Sequence, residues 1–304
     1  MNAEDAAWLQ RFEEHLASER RLAPTTRQHY RRDLEALIDW CRLEGVDRWQ
    51  DLDSQQLRRF IGQGHRRGLS GRSLQRRLSA IRTFLRYLVR EEALPASPAE
   101  DLSAPRHQRR LPATLAVDSV SRLLDAEVGD DDGDPLVIRD LALFELIYSS
   151  GLRLAEAVAL DLDHLDLGQG LVRVTGKGAK TRLLPVGRKA TARLRRWLGV
   201  RTGLAAADSR AAFVSRRGTR LSPRSVQQRL LRLAGRAGLD VPVHPHMLRH
   251  AFATHMLESS GDLRALQELL GHADIGTTQV YTHLDFQHLA HVYDAAHPRA
   301  RRKG

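Results

Sequence analysis

The sequence predicts a mainly α-helical protein in two parts. These are an N-terminal four-helix domain and a C-terminal α-rich domain holding a small antiparallel sheet. Three observations carry this. Apolar residues recur at helical spacing through most of the chain. A proline-dense stretch, "PASPAEDLSAPRHQRRLPA", interrupts that spacing. One segment, "GLVRVTGKGAKTRLLPVG", pairs two β-rich runs around a glycine turn, the signal of a hairpin. A chain of 304 residues is long enough to bury two cores.

Taken in order, "AEDAAWLQRFEEHLASER" and "TTRQHYRRDLEALIDWCRLEG" read as amphipathic helices, the second ending near Gly45. "DSQQLRRFIGQGHRRG" opens with Asp53 and Gln56 at capping-box spacing. In "SGRSLQRRLSAIRTFLRYLVREEAL", Leu74, Leu78, Ile81, Leu85 and Leu88 form one apolar stripe. Arg72, Arg76, Arg86 and Arg90 fall on roughly the opposite face. That face is either solvated or a track for phosphates, and little acid relieves it in sequence before Glu91. The expected boundaries are a helical domain over 1–102, a linker over 103–112, a second domain over 113–285 and a tail over 286–304.

In the second domain "DDDGD" resembles a calcium loop, but the twelfth position from Asp130 is Leu141 and not Glu; it reads as an acidic surface turn. A helix is expected from about Leu136 to Ser149, then the short helix of "GLRLAEAVALDL", then the hairpin. Later helices include one opened by Ser222 as N-cap with Pro223 at its first position. Another, "HPHMLRHAFATHMLESSG", closes at Gly261.

The net charge of +11, owed far more to arginine than to lysine, points to a polyanionic partner. No apolar run is of membrane-spanning length, and the acidic, amphipathic start is unlike a signal peptide, so no membrane insertion and a cytoplasmic location are expected. The single cysteine, Cys41, excludes an internal disulfide framework and reads as a small core residue.

Six residues could carry chemistry together: Arg153, Lys177, His246, Arg249, His272 and Tyr281. Singly, each has an ordinary structural explanation. As a set they suit a phosphodiester. Arginine forks neutralise the non-bridging oxygens, and a tyrosine oxygen can form a covalent phosphotyrosine. A lysine on a turn can protonate the departing sugar oxygen, and a histidine can take the tyrosine proton or bind a phosphoryl oxygen. Such a site calls for no metal and no cofactor, because fixed cations stabilise the charge and the ester keeps the bond energy.

The order of these residues, within "SGLRLAE", "GKGAKTR", "HPHMLRHAFATHML" and "LLGHADIGTTQVYTHL", closely resembles the tyrosine recombinase (phage integrase) family. The N-terminal helices and linker resemble that family's SAM-like core-binding domain, so the resemblance spans essentially the whole chain. "LESSGDLRALQELLGH" and the tail are similar to the Xer branch. The resemblance implies the fold shared with type IB topoisomerases, with the two domains gripping a DNA duplex. It implies Tyr281 as nucleophile making a 3′-phosphotyrosyl link, Arg153 and Arg249 as phosphate ligands and Lys177 as general acid. It implies His246 as base or phosphate ligand, His272 as a transition-state donor and Glu156 as the acid that orients the site. The implied partners are double-stranded DNA bearing a dif-like site, a second, XerD-like recombinase in a DNA-bound heterotetramer, and a septal DNA translocase as regulator. The implied event is resolution of chromosome dimers at cell division. Phe286, Leu289 and Val292 would dock the tail on a neighbouring protomer or pack on their own domain. Met247 stands where relatives often carry lysine, and Gly276 where a capping serine is common.

Three other readings compete. A P-loop ATPase fails because Gly178 follows Lys177 where Ser or Thr is needed. A metallohydrolase built on His244, His246, His250 and His255 lacks H-E-x-x-H, and Arg249 would repel the cation. A non-catalytic DNA-binding protein on the same scaffold would need one site position lost, and none is.

Overall fold

Four helices follow one another in the N-terminal part of the computed structural model: α1 (Ala3–Ser18), α2 (Pro24–Leu43), α3 (Ser54–Arg66) and α4 (Gly71–Arg90). The chain divides into two units, Met1–Arg110 and Leu111–Gly304. The structure describes residues 3–20, 22–103, 114–126, 133–176, 181–270, 293 and 296–299. Most of the expected linker, and most of the acidic run 130–134, lie outside these.

Helix α4 forms because five large apolar residues share one face. Leu74, Leu78, Ile81, Leu85 and Leu88 are each no more than 2% exposed, which stabilises the unit by about 1.5–3 kcal/mol per side chain. They pack against α1, α2 and α3, with Phe12, Leu34, Leu57 and Cys41 in the same core. Local chemistry sets the ends. Ser70 accepts from the Ser73 amide at 3.2 Å, and Asp53 and Gln56 exchange the two 2.7 Å bonds of a capping box at the start of α3. Gly45 takes φ +71° just beyond α2. Arg82 then draws the segment after α4 back onto the helix, donating to the Ala99 carbonyl at 3.0 Å and to the Leu102 carbonyl.

The second unit is built around one helix. After α5 (Val117–Leu124), α6 (Pro135–Ser150) is buried at every residue from Val137 to Ser150. Its sequence, "PLVIRDLALFELIYSS", carries apolar residues all round, as a central helix must, with Arg139, Asp140 and Glu145 buried among them. Asp134, the last residue of the acidic run, caps it by accepting from the Leu136 amide at 2.8 Å, with Pro135 at the first position. Around α6 pack α5, α7 (Leu154–Ala159), α8 (Arg188–Arg201), α9 (Pro223–Arg236) and α10 (Pro245–Ser260). Ser222 and Gly261 bound α9 and α10 as expected.

The hairpin is β2 (Leu171–Thr175) and β3 (Thr181–Pro185), antiparallel with Val172 opposite Leu184 and Val174 opposite Arg182. A two-residue strand β1 (Leu165–Asp166) adds a third ribbon beside β2. It is too short to leave a periodic signal in sequence. Helix α11 (Leu263–Leu270) follows α10.

Five residues of the expected docking tail, 293 and 296–299, are among those described. Phe286, Leu289 and Val292 lie outside the described residues, but Tyr293, Ala296, His297 and Arg299 are buried in the second unit. The Tyr293 hydroxyl meets Ser149 Oγ at 2.6 Å. Arg299 forks onto Glu145 and Asp125 with four bonds of 2.7 Å. These residues are thus held by their own unit, Arg299 through the buried Glu145 carboxylate of α6 and Tyr293 through Ser149. Among the described residues no helix is long and apolar enough to cross a membrane.

Candidate active site

The site begins where α6 ends. Gly151 caps α6 in the left-handed region (φ +59°), Leu152 is buried, and Arg153 stands extended (φ −71°, ψ 147°) at the entrance of α7. A side chain flanked by two leucines at a helix entrance turns outward, and Arg153 is 44% exposed. One turn on, the Glu156 side chain reaches back. Its Oε2 accepts from the Arg153 amide at 2.8 Å and its Oε1 from Arg153 Nη1 at 2.9 Å. The first bond satisfies an orphan donor of the helix start; the second fixes the guanidinium.

Two further arginines converge here. Arg249, on α10, is buried, and donates to the Gly151 carbonyl and, at 2.9 Å, to the Leu270 carbonyl. Arg182, on β3, places both terminal nitrogens on Glu156, at 3.0 and 3.1 Å. Burial pulls the Arg249 guanidinium down to about 10, and Arg153 and Arg182 push it the same way while Glu156 opposes them. It therefore stays charged at neutral pH. Burial raises Glu156, but its bonds from Arg182 and Arg153 outweigh this and hold the carboxyl below its ordinary range. Three guanidiniums face one carboxylate, an excess of two positive charges in a partly dry site. Such a site attracts a phosphoryl group.

His246, at the second position of α10, is exposed, and its ring lies 6.5 Å from that of His244. It shares the α10 face of Arg249, three residues on. His255 turns the other way, into the core, where its Nδ1 meets the Tyr148 hydroxyl at 3.0 Å. The four neighbouring histidines therefore do not converge as metal ligands. Lys177, His272 and Tyr281 lie outside the described residues, as does Gly276. The segments that carry two of them have anchored ends. Thr175 pairs with Thr181 on either side of the segment containing Lys177, and Leu270, held by Arg249, stands two residues before His272.

Sequence reasoning brought Arg153, Glu156 and Arg249 together but missed Arg182. A signal was present. In the hairpin register Arg182 falls on the inward face with Val172, Val174 and Leu184, where an arginine has to be paired.

The N-terminal arginines are less open than their helical face suggests. Arg76 pairs with the buried Asp33 at 2.7 Å, Arg86 with Glu100 at 2.9 Å and Arg90 with Glu19 at 3.3 Å and Glu91 at 2.8 Å. Arg72 is exposed and has no ion pair among the described residues. Apart from Glu91, the acids arrive from other segments, so inspection of the α4 sequence alone does not reveal them.

The profile of the Phage integrase family matches residues 113–288, and that of its N-terminal SAM-like domain matches residues 9–92. The chain belongs to the phage integrase family. It is a site-specific tyrosine recombinase, an enzyme that cleaves and rejoins DNA covalently. The tyrosine recombinase XerC of Alcanivorax borkumensis is 56% identical over 293 residues, covering 96% of this chain and 94% of that protein. The XerC of Azotobacter vinelandii is 57% identical over 295 residues, 97% of each chain. Among solved structures, the XerH recombinase bound to palindromic difH substrate superposes with a TM-score of 0.69 at 23% identity, covering 94% of this chain and 84% of that one. A lambda integrase (75–356) dimer bound to a COC′ core site gives 0.68 at 19% identity, with 91% and 98% covered. Both have the fold of this chain.

Proposed function

We propose that Arg153 and Arg249 clamp the scissile phosphate of a DNA duplex while the Tyr281 hydroxyl attacks its phosphorus. A phosphotyrosyl bond forms at the 3′ side as the bond to the 5′ oxygen breaks, and Lys177 delivers the proton to that oxygen. His246 accepts the tyrosine proton or binds a non-bridging oxygen, and His272 donates to the phosphate in the transition state. Glu156 keeps Arg153 in register. Rejoining is the reverse, with a 5′-hydroxyl from the exchanged strand attacking the phosphotyrosine. Arg72, Arg76, Arg86 and Arg90 serve the DNA backbone through the N-terminal domain.

One observation carries the reading: the excess of two positive charges at Arg153, Arg182, Arg249 and Glu156, with the Arg249 guanidinium buried and still charged. Preorganised cations of this kind stabilise charge that develops on a transferring phosphoryl group. The identity of 56% to a protein named XerC supports the finer role. In that role the protein acts at a dif-like site with a second, XerD-like recombinase in a heterotetramer. It resolves chromosome dimers at cell division under a septal translocase, in the cytoplasm. Phe286, Leu289 and Val292 dock on a neighbouring protomer.

The test uses nicked dif-like suicide DNA, with and without a candidate partner recombinase. The protein gives an SDS-resistant adduct, and Tyr281→Phe keeps DNA binding and loses the adduct, since only the hydroxyl is removed. An adduct that persists in Tyr281→Phe overturns the assignment.

A further inference from the structure

We infer that Arg182 is a positioning residue for the arginine clamp: its fork holds the Glu156 carboxylate and offsets that charge, leaving Arg153 a net positive charge for the phosphate. The inference rests on the proposed phosphotyrosyl reaction.

The geometry is specific. The Glu156 side chain is 5% exposed and receives four donors, which fills the acceptor sites of a carboxylate. Two come from Arg153 and two from Arg182. Every hydrogen bond that Arg182 makes among the described residues goes to Glu156, and its Nε is buried without a partner. The side chain is thus committed to one carboxylate.

Two consequences follow. With Arg153 as its only partner, the buried Glu156 would cancel the charge of that arginine and leave the site the single excess charge of Arg249. Arg182 raises the excess from one to two. The bidentate fork also fixes the plane of the carboxylate, and that plane sets where Arg153 Nη1 is held at 2.9 Å. Arg153 is 44% exposed, so its long side chain would otherwise sample several rotamers. Arg182 also stands on β3 one residue beyond the Thr175–Thr181 pair, so it joins β3 to the start of α7 through Glu156.

The test measures single-turnover cleavage of nicked suicide DNA at saturating DNA, with the DNA dissociation constant and thermal midpoint taken in parallel. Arg182→Met lowers the cleavage rate roughly 100-fold, while the dissociation constant changes by less than about threefold. Arg182→Lys, which keeps the charge and loses the fork, recovers part of the rate. In a Glu156→Gln background Arg182→Met costs less than about fivefold more, because the carboxylate it serves is gone. An Arg182→Met rate within about threefold of the unsubstituted protein overturns the inference. So does an undiminished loss in the Glu156→Gln background. If Arg182→Met does not fold, Arg182→Lys decides: a roughly tenfold slower rate at unchanged DNA affinity supports the inference and an unchanged rate overturns it. Absence of any adduct with the unsubstituted protein overturns the phosphotyrosyl reading and this inference with it. An adduct whose rate ignores Arg182 overturns this inference alone.

Discussion

Replacing Gly151 by alanine tests how tightly the end of α6 is tied to the site. Gly151 adopts φ +59°, ψ 32°, where an L side chain costs about 1–2 kcal/mol, offset by about 0.4–1 kcal/mol of lost freedom in the unfolded chain. The new Cβ would stand 2.4 Å from Phe252 Cδ1 and 2.6 Å from its Cε1. Phe252 is fully packed and cannot withdraw, so the overlap adds about 1–3 kcal/mol. The sum is about 1–5 kcal/mol, or a thermal midpoint lower by roughly 3–15 °C for a unit of this size. Because the Gly151 carbonyl accepts from Arg249, the cleavage rate also falls roughly tenfold or more at temperatures where the variant is folded. Adding Phe252→Leu relieves the contact and leaves the backbone cost, which separates the two contributions. Differential scanning calorimetry measures the midpoint. A Gly151→Ala midpoint within about 2 °C of the parent refutes the reasoning, since neither contribution would then be present.

His297 is fully buried, and burial brings its pKa down to about 3. The folded state binds its proton less readily than the unfolded chain, so the stability this group confers is complete above about pH 6.5 and is lost as pH falls toward 3. The wild type should lose roughly 2 kcal/mol between pH 7 and 5 from this group, and urea denaturation of His297→Phe should show a flatter dependence. Arg299→Ala leaves the buried Glu145 with Arg193, at 3.2 Å, as its one ion-pair partner among the described residues, and should cost about 3–5 kcal/mol; in a cycle with Glu145→Gln most of that loss should vanish. On DNA, Arg72→Ala should flatten the dependence of log affinity on log salt by roughly 0.9 if it meets a phosphate, and an unchanged slope would return it to a solvated surface. Arg76→Ala should also lower the urea midpoint, because it removes one of the guanidiniums that pair with the buried Asp33, whereas Arg86→Ala, which loses only an exposed pair, should leave the midpoint unchanged.

The sequence by itself determined the elements whose cause is local. The α4 stripe, the Asp53–Gln56 capping box, Ser222 before α9, the glycine stops at Gly45 and Gly261 and the β2–β3 hairpin each follow from spacings within a few residues of chain. The family followed from the order of the chemistry-bearing residues, with Arg153, Glu156 and Arg249 among them. Only the tertiary structure decided what those residues touch. Arg182 meets Glu156 across 26 residues of chain, and Arg249 meets Gly151 across 98. Asp33, Glu100 and Glu19 reach the α4 arginines from other segments, and Arg299 finds Glu145 from the far end of the chain. The physical reason is the same in each case. Period and capping are set by the backbone within a few residues, while a buried charge takes whichever partner the packing brings to it, and that choice has no local signature.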